Sequence, residues 1–469
     1  MYGFRLPEDF LIGTANSAFQ SEGAWDRDGK SESIMDYFAK EYAGKFSPGV
    51  AKKNKDGLIK SGRSLENSED LPDRGCFFYD NYEAYIEDMV KTGQNVYRLS
   101  LAWPRIIPTG VGEVNPKGIE FYNKVINKLL QKGITPFVDL YHWDLPMCLF
   151  DKGGFLNPEY PAWFEAYAKV CFEAFGDRVK MWSTFNESAV ALSQGYGTTS
   201  FPPYLNREDH GILAGHYCIL AHYRAVRLYK SMNLGGKIGA VNCVMSLHPE
   251  NHCQDDVHAV ERQMLRRYDW WVEPMMTGHY PQKLLEECPR IVEAMPENYQ
   301  ADLDKWFMPM DFIGINYYVT RRVKYKEDTL VKASNVFDFF SQPGKWFESY
   351  PAGIADVVLR TRERYGDDVE MYITENGCAI PNINDPEKEC DDDDRILYIR
   401  EHLRMLYRLI KMGVNVKGYY YWNDADSYEA MSGYMLRFGL TWVDHQTGER
   451  RWKKSRHWFS NVCKTHIID

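Results

Sequence analysis

The chain contains 469 residues, of which 44% are hydrophobic and 26% charged, the balance of a globular protein with a large core. Its formal net charge of −10 disfavours a nucleic-acid-binding function, because phosphate backbones require a basic surface. We expect neither secretion nor membrane insertion, because the amino terminus lacks the basic and apolar stretches of a signal peptide and no apolar run is long enough to cross a bilayer.

Eight short apolar segments are predicted to be strands: Phe10–Thr14, Asn95–Leu101, Thr135–Tyr141, Lys180–Phe185, Ile238–Val244, Phe312–Tyr317, Met371–Thr374 and Val416–Trp422. Between them, apolar residues recur at spacings of three and four, the period of a helix, in Tyr79–Lys91, Gly118–Gln131, Trp163–Phe175, His210–Ser231 and Asp394–Lys411. Three of these helices are followed by a glycine that is typical of a helix stop, at Gly93, Gly133 and Gly413.

The alternation of strands and helices predicts a (β/α)8 barrel, that is, a TIM barrel. Its strands are too apolar to leave one face in water, and no Gly-rich phosphate loop of an open doubly wound sheet follows the first strand. No repeat or linker divides the chain, so residues 1–469 are predicted to form a single domain with elaborated strand-to-helix loops. Two such loops, 46–74 and 382–394, are expected to be solvated and to rim the active face.

Two glutamates lie at predicted strand ends. Glu187 closes the fourth strand and Glu375 the seventh. Either one alone is more typical of a solvated loop end, but catalytic groups of such a barrel sit at the carboxyl ends of its strands. Two neighbouring carboxyl groups whose pKa values are driven apart can act as nucleophile and acid, the pair that glycosidic bond cleavage requires.

Other polar or aromatic side chains occupy the remaining strand ends: Gln20, Arg98, His142, Trp143, Asn316, Tyr318, Trp422 and Glu429. The ten cysteines include no Cys-x-x-Cys pair and no cluster with histidine, so we expect reduced thiols, a cytoplasmic location, no metal and no cofactor. Cys378 follows Glu375 by three residues, but no histidine partner can be placed near it, and burial as a small apolar residue is favoured over a nucleophilic role.

From Phe10 to about Phe459 the sequence resembles the retaining β-glucosidases of glycoside hydrolase family 1. The markers of that family stand in order as Gln20-Ser21-Glu22-Gly23-Ala24-Trp25, Tyr97-Arg98-Leu99-Ser100, Tyr141-His142-Trp143-Asp144-Leu145-Pro146, Asn186-Glu187, Gly314-Ile315-Asn316-Tyr317-Tyr318, Thr374-Glu375-Asn376-Gly377 and Arg437-Phe438-Gly439-Leu440. Seven motifs in one order exclude a chance match.

The resemblance implies that Glu375 attacks the anomeric carbon, while Glu187 protonates the departing oxygen and later deprotonates water. Arg98 is expected to lie against Glu375 and keep it ionised, and Tyr318 to donate a hydrogen bond to the same carboxylate. Glu187 has no cation in its motif, so we expect the charge of Glu375 to raise its pKa until Glu375 becomes an ester. The predicted carboxyl separation is roughly 5 to 5.5 Å, with retention of configuration.

The same resemblance implies a set of residues around the −1 sugar. Hydrogen bonds to the sugar hydroxyls are assigned to Gln20, His142, Asn186 and Glu429, with Asn186 on the 2-hydroxyl. Trp422 is the implied platform under the apolar ring face, Trp143 belongs to the substrate-binding set, and Asn316 supports catalysis. The implied function is a retaining exo-β-glycosidase that acts on β-D-glucosides, with β-galactosides or β-fucosides as variants.

Ala430 is the main departure from the family pattern, which usually has a tryptophan directly after Glu429. The missing indole donor, worth about 0.5 to 1.5 kcal/mol, is expected to change sugar preference rather than abolish turnover. Smaller departures with no assigned consequence are Ser188 in place of proline, Asn423-Asp424 in place of Ser-Leu, and Met147 in place of glutamine.

Alternative functions remain open at this point. Relatives that cleave 6-phospho-β-glucosides have serine in place of Glu429, and lysine and tyrosine in place of Leu436 and Phe438, so the phosphate-specific alternative is disfavoured. A catalytically silent sugar-binding member would commonly lose one carboxylate, and net transglycosylation is a third alternative. A small-molecule β-glycoside is the expected partner. The aglycone side is assigned to the variable loops 46–74, 189–209 and 325–350, and a homo-oligomer is left open.

Overall fold

The computed structural model describes residues 4–41, 73–325, 331–332, 349–430 and 432–469. Its central feature is a closed barrel of eight parallel strands, which confirms the predicted fold: β1 Leu11–Ala15, β2 Val96–Ser100, β3 Thr135–Tyr141, β4 Met181–Asn186, β5 Lys237–Pro249, β6 Ile313–Lys324, β7 Met371–Asn376 and β8 Val416–Trp422. Each strand pairs with the next in chain order, and β8 pairs with β1 to close the barrel.

A helix that packs outside the barrel follows each strand: α1 Phe78–Thr92, α2 Pro116–Gln131, α3 Tyr160–Phe175, α4 Glu208–Ser231, α5 Trp270–Thr277, α6 Ala352–Tyr365, α7 Asp393–Lys411 and α8 Lys454–Thr465. Further α-helices occupy the connections: Ala18–Ser21, Ile34–Glu41, Trp103–Ile106, Met147–Phe150, Gln254–Met264, Gln282–Glu287, Pro289–Glu293, Tyr299–Trp306 and Pro386–Cys390. Three further helical turns are the 3-10 turn Gly154–Leu156 and the π-helical turns Ala189–Gln194 and Leu265–Asp269. No helix in these described segments is long and apolar enough to cross a membrane.

The predicted boundaries agree best where a strand lies wholly inside the barrel, as for β3 and β8, whose ends match residue for residue. The strands β5 and β6 are longer than predicted because they continue to pair beyond the barrel, from Ser246 opposite Thr320 to Pro249 opposite Val323. The three predicted glycine stops adopt φ values of 84°, 75° and 80°, the left-handed conformation that ends a helix.

The lower part of the barrel interior is filled by apolar side chains, one from or beside each strand: Ala15, Val96, Phe137, Met181, Val241, Phe312, Tyr372 and Tyr420. The rings of Phe137, Phe312 and Tyr420 meet edge to face at centroid distances of 5.5 and 5.6 Å. This packed layer forms a floor, so the polar groups at the carboxyl ends of the strands lie above it.

Short antiparallel ribbons complete the fold: Phe4–Arg5 with Ile467–Ile468, Val331–Lys332 with the end of β6, Ile380–Pro381 with Leu436–Arg437, and Thr441–Val443 with Arg450–Trp452. Of the predicted loop 46–74 only residues 73 and 74 lie within the described residues, and of 325–350 only 325, 331–332, 349 and 350. The segment 382–394 is less solvated than expected, because Glu389 and Asp392 are buried and paired with Arg437 and Arg395.

Candidate active site

The two glutamates that the sequence singled out both lie at the carboxyl end of the barrel. Glu375 is the second-last residue of β7 and Glu187 directly follows β4, and each is buried. The backbone N–H of Glu187 donates to the carbonyl of Val241 on β5 at 2.8 Å. Its φ of 51° is left-handed and strained for a side chain of this size, a conformation that such sites often retain to aim a reacting group.

Arg98, fully buried on β2, joins both sides of the site. One amino group donates to Glu375 Oε1 at 2.6 Å and the other to Asn186 Oδ1 at 2.7 Å. Asp139 on β3 forms a second ion pair with the same guanidinium, also at 2.6 Å. Burial alone would lower the pKa of Arg98, but the charges of Asp139 and Glu375 outweigh it and raise the pKa above its ordinary value. The cation is therefore permanent.

Tyr318 holds the other oxygen of Glu375, since its hydroxyl donates to Oε2 at 2.8 Å. Burial, together with the charge of Glu375, raises the pKa of Tyr318 well above its usual range, so the hydroxyl stays protonated and remains a donor. With Arg98 on Oε1 and Tyr318 on Oε2, the carboxylate of Glu375 is fixed in orientation by one charged and one neutral donor.

Glu187 has a different environment. Its Oε1 accepts a hydrogen bond from the amide of Asn316 at 2.7 Å, and no arginine or lysine donates to it within the described part of the chain. Burial raises the pKa of Glu187 to about 8, and the charge of Glu375 adds to the same effect. The expected direction of this shift agrees with the structure, but desolvation rather than the neighbouring charge is the larger cause.

A chain of amide hydrogen bonds connects the two carboxyl groups. Asn186 Oδ1 accepts from Arg98 and from Asn316 at 3.1 Å, and Asn186 Nδ2 donates to His142 Nε2 at 2.9 Å. Asn316 Oδ1 in turn accepts from the hydroxyl of Thr374 at 2.7 Å. Burial lowers the pKa of His142, which keeps the imidazole neutral with Nε2 as an acceptor.

The predicted sugar-binding residues on the other side of the barrel also come together. Trp422 donates from its indole to Glu429 Oε1 at 3.3 Å and stacks on His142 with a centroid distance of 5.7 Å. Gln20 donates to the carbonyl of Tyr428, the residue before Glu429. Burial raises the pKa of Glu429 to about 8. The site therefore offers a ring-sized aromatic face with a carboxyl group and an amide beside it.

Trp143 lies near the glutamates but is oriented by the protein itself. Its indole donates to the backbone carbonyl of Asn186 at 3.2 Å, and its ring packs against Phe201 at 4.9 Å. Its φ of 78° is left-handed, like that of Glu187. The indole N–H of Trp143 is thus already bonded to the protein backbone.

Two of the unusual residues around the site have structural partners. Asp424 pairs with Arg456 and accepts from Thr14 and Gln94, while Ser188 lies 3.3 Å from the thiol of Cys218. The polar side chain of Asp424, two residues after Trp422, therefore has its partners within the protein. Ala430 is buried next to Glu429.

Cys378 is completely buried, and burial raises its pKa to about 11, so it is a core residue as predicted. Sequence reasoning missed Asp139 and Thr374, which bond to this network, and Cys243, which is paired in register with Asn316. A signal was present for Asp139, because a carboxylate inside the apolar segment Thr135–Tyr141 needs a buried partner.

Comparisons with known proteins agree with this geometry. The profile of glycosyl hydrolase family 1 matches residues 3–468. β-Glucosidase A of Thermotoga maritima is 36% identical over 466 residues, which cover 99% of each chain. The solved family 1 β-glucosidase of Thermotoga maritima superposes with a TM-score of 0.89 over 100% of both chains, at 36% identity. Its complex with glucoimidazole gives 0.87 over 99% of each chain, also at 36% identity.

A relative of different specificity is about as similar. The 6-phospho-β-glucosidase GmuD of Bacillus subtilis is 35% identical over 477 residues, covering 98% of each chain. Overall similarity therefore does not separate the two substrate classes, and the residues of the sugar pocket have to do so.

Proposed function

The chain belongs to glycosyl hydrolase family 1, and we propose that it is a retaining exo-β-glycosidase that hydrolyses β-D-glucosides through a covalent glycosyl-enzyme. The observation that carries this proposal is the unequal environment of the two carboxyl groups. Glu375 is held by a cation and a phenol, at 2.6 and 2.8 Å, whereas Glu187 is held by a neutral amide. Such a pair supplies one nucleophile and one acid.

In the first step, Glu375 attacks the anomeric carbon while the protonated carboxyl of Glu187 gives its proton to the departing oxygen. The pKa of Glu187, raised to about 8, keeps this acid protonated at neutral pH. In the second step, Glu375 is an ester and no longer repels a negative charge. Glu187 then accepts a proton from water as the water oxygen attacks the anomeric carbon. The ester bond to Glu375 breaks, which frees the carboxylate and releases the sugar with its original configuration.

Binding of the sugar is assigned to Gln20, His142, Asn186, Trp422 and Glu429, with Trp143 as a wall. Asn186 sits between Arg98 and His142, which fits the proposed contact to the 2-hydroxyl, where hydrogen bonds strengthen in the transition state. Arg98, Tyr318 and Asn316 support the catalytic pair.

The decisive experiment compares Glu375→Gln and Glu187→Gln on an aryl β-glucoside with a good leaving group. We expect Glu375→Gln to abolish turnover. Glu187→Gln should slow the second step, and added azide, which needs no base, should restore turnover and give a β-glycosyl azide. Exposed Glu120→Gln on α2 is the matched control and should behave as the unmodified protein.

The outcomes separate the alternatives. Lack of turnover of every β-glycoside by the unmodified protein would favour the silent sugar-binding alternative. An α-configured first product in a proton NMR time course would contradict retention and the proposed separation of roughly 5 to 5.5 Å between the two carboxyl groups. The ratio of alkyl glycoside to free sugar in the presence of an alcohol would expose net transglycosylation.

A non-phosphorylated glycone is proposed because the sequence has no cation at the positions where phosphate donors would be needed. Leu436 and Phe438 stand at the two positions where phosphate donors would be needed, and Glu429 is a carboxyl group. The competing candidate is a 6-phospho-β-glucosidase, which the similarity to GmuD favours. Parallel assays of an aryl β-glucoside and its 6-phosphate decide between them, and a higher kcat/KM for the phosphorylated substrate would overturn the proposal.

Ala430 makes the identity of the sugar the open part of the proposal. A small side chain beside Glu429 is expected to leave room near the 3-position, so a panel of aryl β-glycosides that differ at the 3-, 4- and 6-positions tests it. If no sugar with a bulkier 3-position matched glucose, the proposed extra room would be wrong.

Three further properties belong to the proposal. All ten cysteines are free thiols, which suits a reducing cytoplasm. The single barrel is proposed to act as one domain, which a single cooperative unfolding transition would support. A homo-oligomer is tested by light scattering after gel filtration.

A further inference from the structure

Cys243 lies on β5 in the strand position that faces the centre of the active site. Val241, two residues earlier, belongs to the apolar floor of the barrel, and side chains two apart on a strand face the same side. Cys243 is paired in register with Asn316 of β6, the residue that donates to Glu187. Its side chain is therefore one layer above the floor, beside Glu187.

Cys243 therefore lies on the same face of the sheet as the Asn316 amide, which donates to Glu187 Oε1 at 2.7 Å. A thiol at this position lowers the pKa of Glu187, against the larger effects of burial and of Glu375. Burial, followed by the charges of Glu187 and Glu375, raises the pKa of Cys243 well above its usual range. The sulfur is therefore a neutral donor rather than a thiolate nucleophile.

We propose that Cys243 is a positioning residue whose thiol, with the amide of Asn316, holds the carboxylate of Glu187 in the ionised and oriented form that activates water in the second step. This inference rests on the proposed acid/base role of Glu187. Such a donor matters most after Glu375 has become an ester, because the buried carboxyl of Glu187 must then carry a negative charge.

The charged and titratable groups that act on Glu187 and Cys243 come from several elements. They are Glu375 on β7, Arg98 on β2, Tyr318 on β6, Glu429 after β8 and Arg267 in the π-helical turn that follows Gln254–Met264. None of them is changed by substituting Cys243, so a shift in the pH profile of the variant reports on the thiol.

The test uses Cys243→Ala and Cys243→Val, which lack a donor, and Cys243→Ser, which keeps one. Half-buried Cys288, outside the site, supplies the matched control Cys288→Ala. Two pH profiles are measured: kcat/KM for an aryl β-glucoside, which reports the acid in the first step, and kcat for a substrate so activated that the second step limits turnover.

We expect both Cys243→Ala and Cys243→Val to move the alkaline limb of kcat/KM and the acid limb of kcat upward by about 0.3 to 0.5 pH units, the effect of one weak hydrogen bond. On the acid limb this is a loss of about two- to three-fold in kcat at a fixed pH. Cys243→Ser should stay in place or move to lower pH, and Cys288→Ala should not move.

Two results overturn the inference. Either the limbs stay in place in the Ala and Val variants, or Cys243→Ser moves as far upward as they do, which would make Cys243 a packing residue. Because Val fills the volume of Cys and suits a strand, it decides the question if the Ala variant does not fold. If Glu187→Gln carries out both steps at the normal rate, the proposed function is wrong. If Glu187→Gln is slow but the pH profiles of the Cys243 variants do not change, only the proposed role of the thiol is wrong.

Discussion

Tyr318→Phe is the sharpest test of how the nucleophile is held. The substitution removes one hydroxyl and leaves the ring in place. That hydroxyl donates to Glu375 Oε2 at 2.8 Å in a site where Glu375 is only 3% exposed, so water cannot replace it well. Arg98 would still hold Oε1, and the carboxylate would be free to turn about that single contact.

The magnitude follows from the type of bond. A hydrogen bond to a charged group contributes about 1.5 to 3 kcal/mol, which corresponds to about a 10- to 150-fold loss in rate if the whole contribution is used in the transition state. We therefore expect kcat/KM for an aryl β-glucoside to fall by that factor in Tyr318→Phe. The assay is initial velocity at substrate concentrations far below KM, with the melting temperature measured on the same samples.

Tyr420→Phe is the matched control. Tyr420 is fully buried in the floor of the same barrel, and its hydroxyl has no hydrogen-bond partner among the described residues. Removing an unpaired hydroxyl should leave kcat/KM within about two-fold and stability unchanged or raised. Our reasoning would be refuted if Tyr318→Phe kept full activity, or if both variants lost activity to the same extent.

The remaining predictions concern pH, stability and sugar preference. Burial raises the pKa of Glu187 to about 8, and its carboxyl must be protonated in the first step, so kcat/KM should fall about tenfold per pH unit on the alkaline side of that value. An increase in kcat/KM above pH 8 would contradict the assignment. Arg395→Met leaves buried Asp392 without its ion-pair partner, so the free energy of unfolding should fall by about 3 to 5 kcal/mol in a urea titration. Unchanged stability would exclude a structural role for this pair. Ala430→Trp should reduce kcat/KM for 3-substituted glycosides more than for glucosides, and equal losses would argue against extra room at that position.

The sequence predicted the barrel well because its strands are apolar on both faces and end in polar residues. It failed on the length of β5 and β6, since Ser246, Leu247 and His248 carry no continuous apolar run. They are strand residues only because β6 pairs with them beyond the barrel, with His248 opposite Arg322. Such an extension depends on a tertiary partner, which local composition does not reveal.

The same distinction applies to the site. The contacts of Glu375 with Arg98 and Tyr318 were predicted from motifs and are present in the structure. Asp139 and Cys243 were missed, because the partner of each is set by the register between neighbouring strands, although the position of Asp139 inside an apolar strand was a signal that it needs one. Arg98 pairs in register with Phe137, which brings Asp139 near the guanidinium, and Cys243 pairs with Asn316. Motifs identify residues at or near the strand ends, but they do not show which residues of a neighbouring strand lie beside them.

Glu187 acts as acid in the first step and as base in the second, and the main cause of its raised pKa determines how it can do both. If the charge of Glu375 were the main cause, forming the ester would by itself convert the acid into a base. Burial is the larger cause, and it persists through both steps of the reaction. The ionised form of Glu187 must therefore be stabilised by neutral donors, of which the Asn316 amide at 2.7 Å is one and the proposed Cys243 thiol a second. An arginine in their place would keep Glu187 ionised in both steps, so the first step would have no acid.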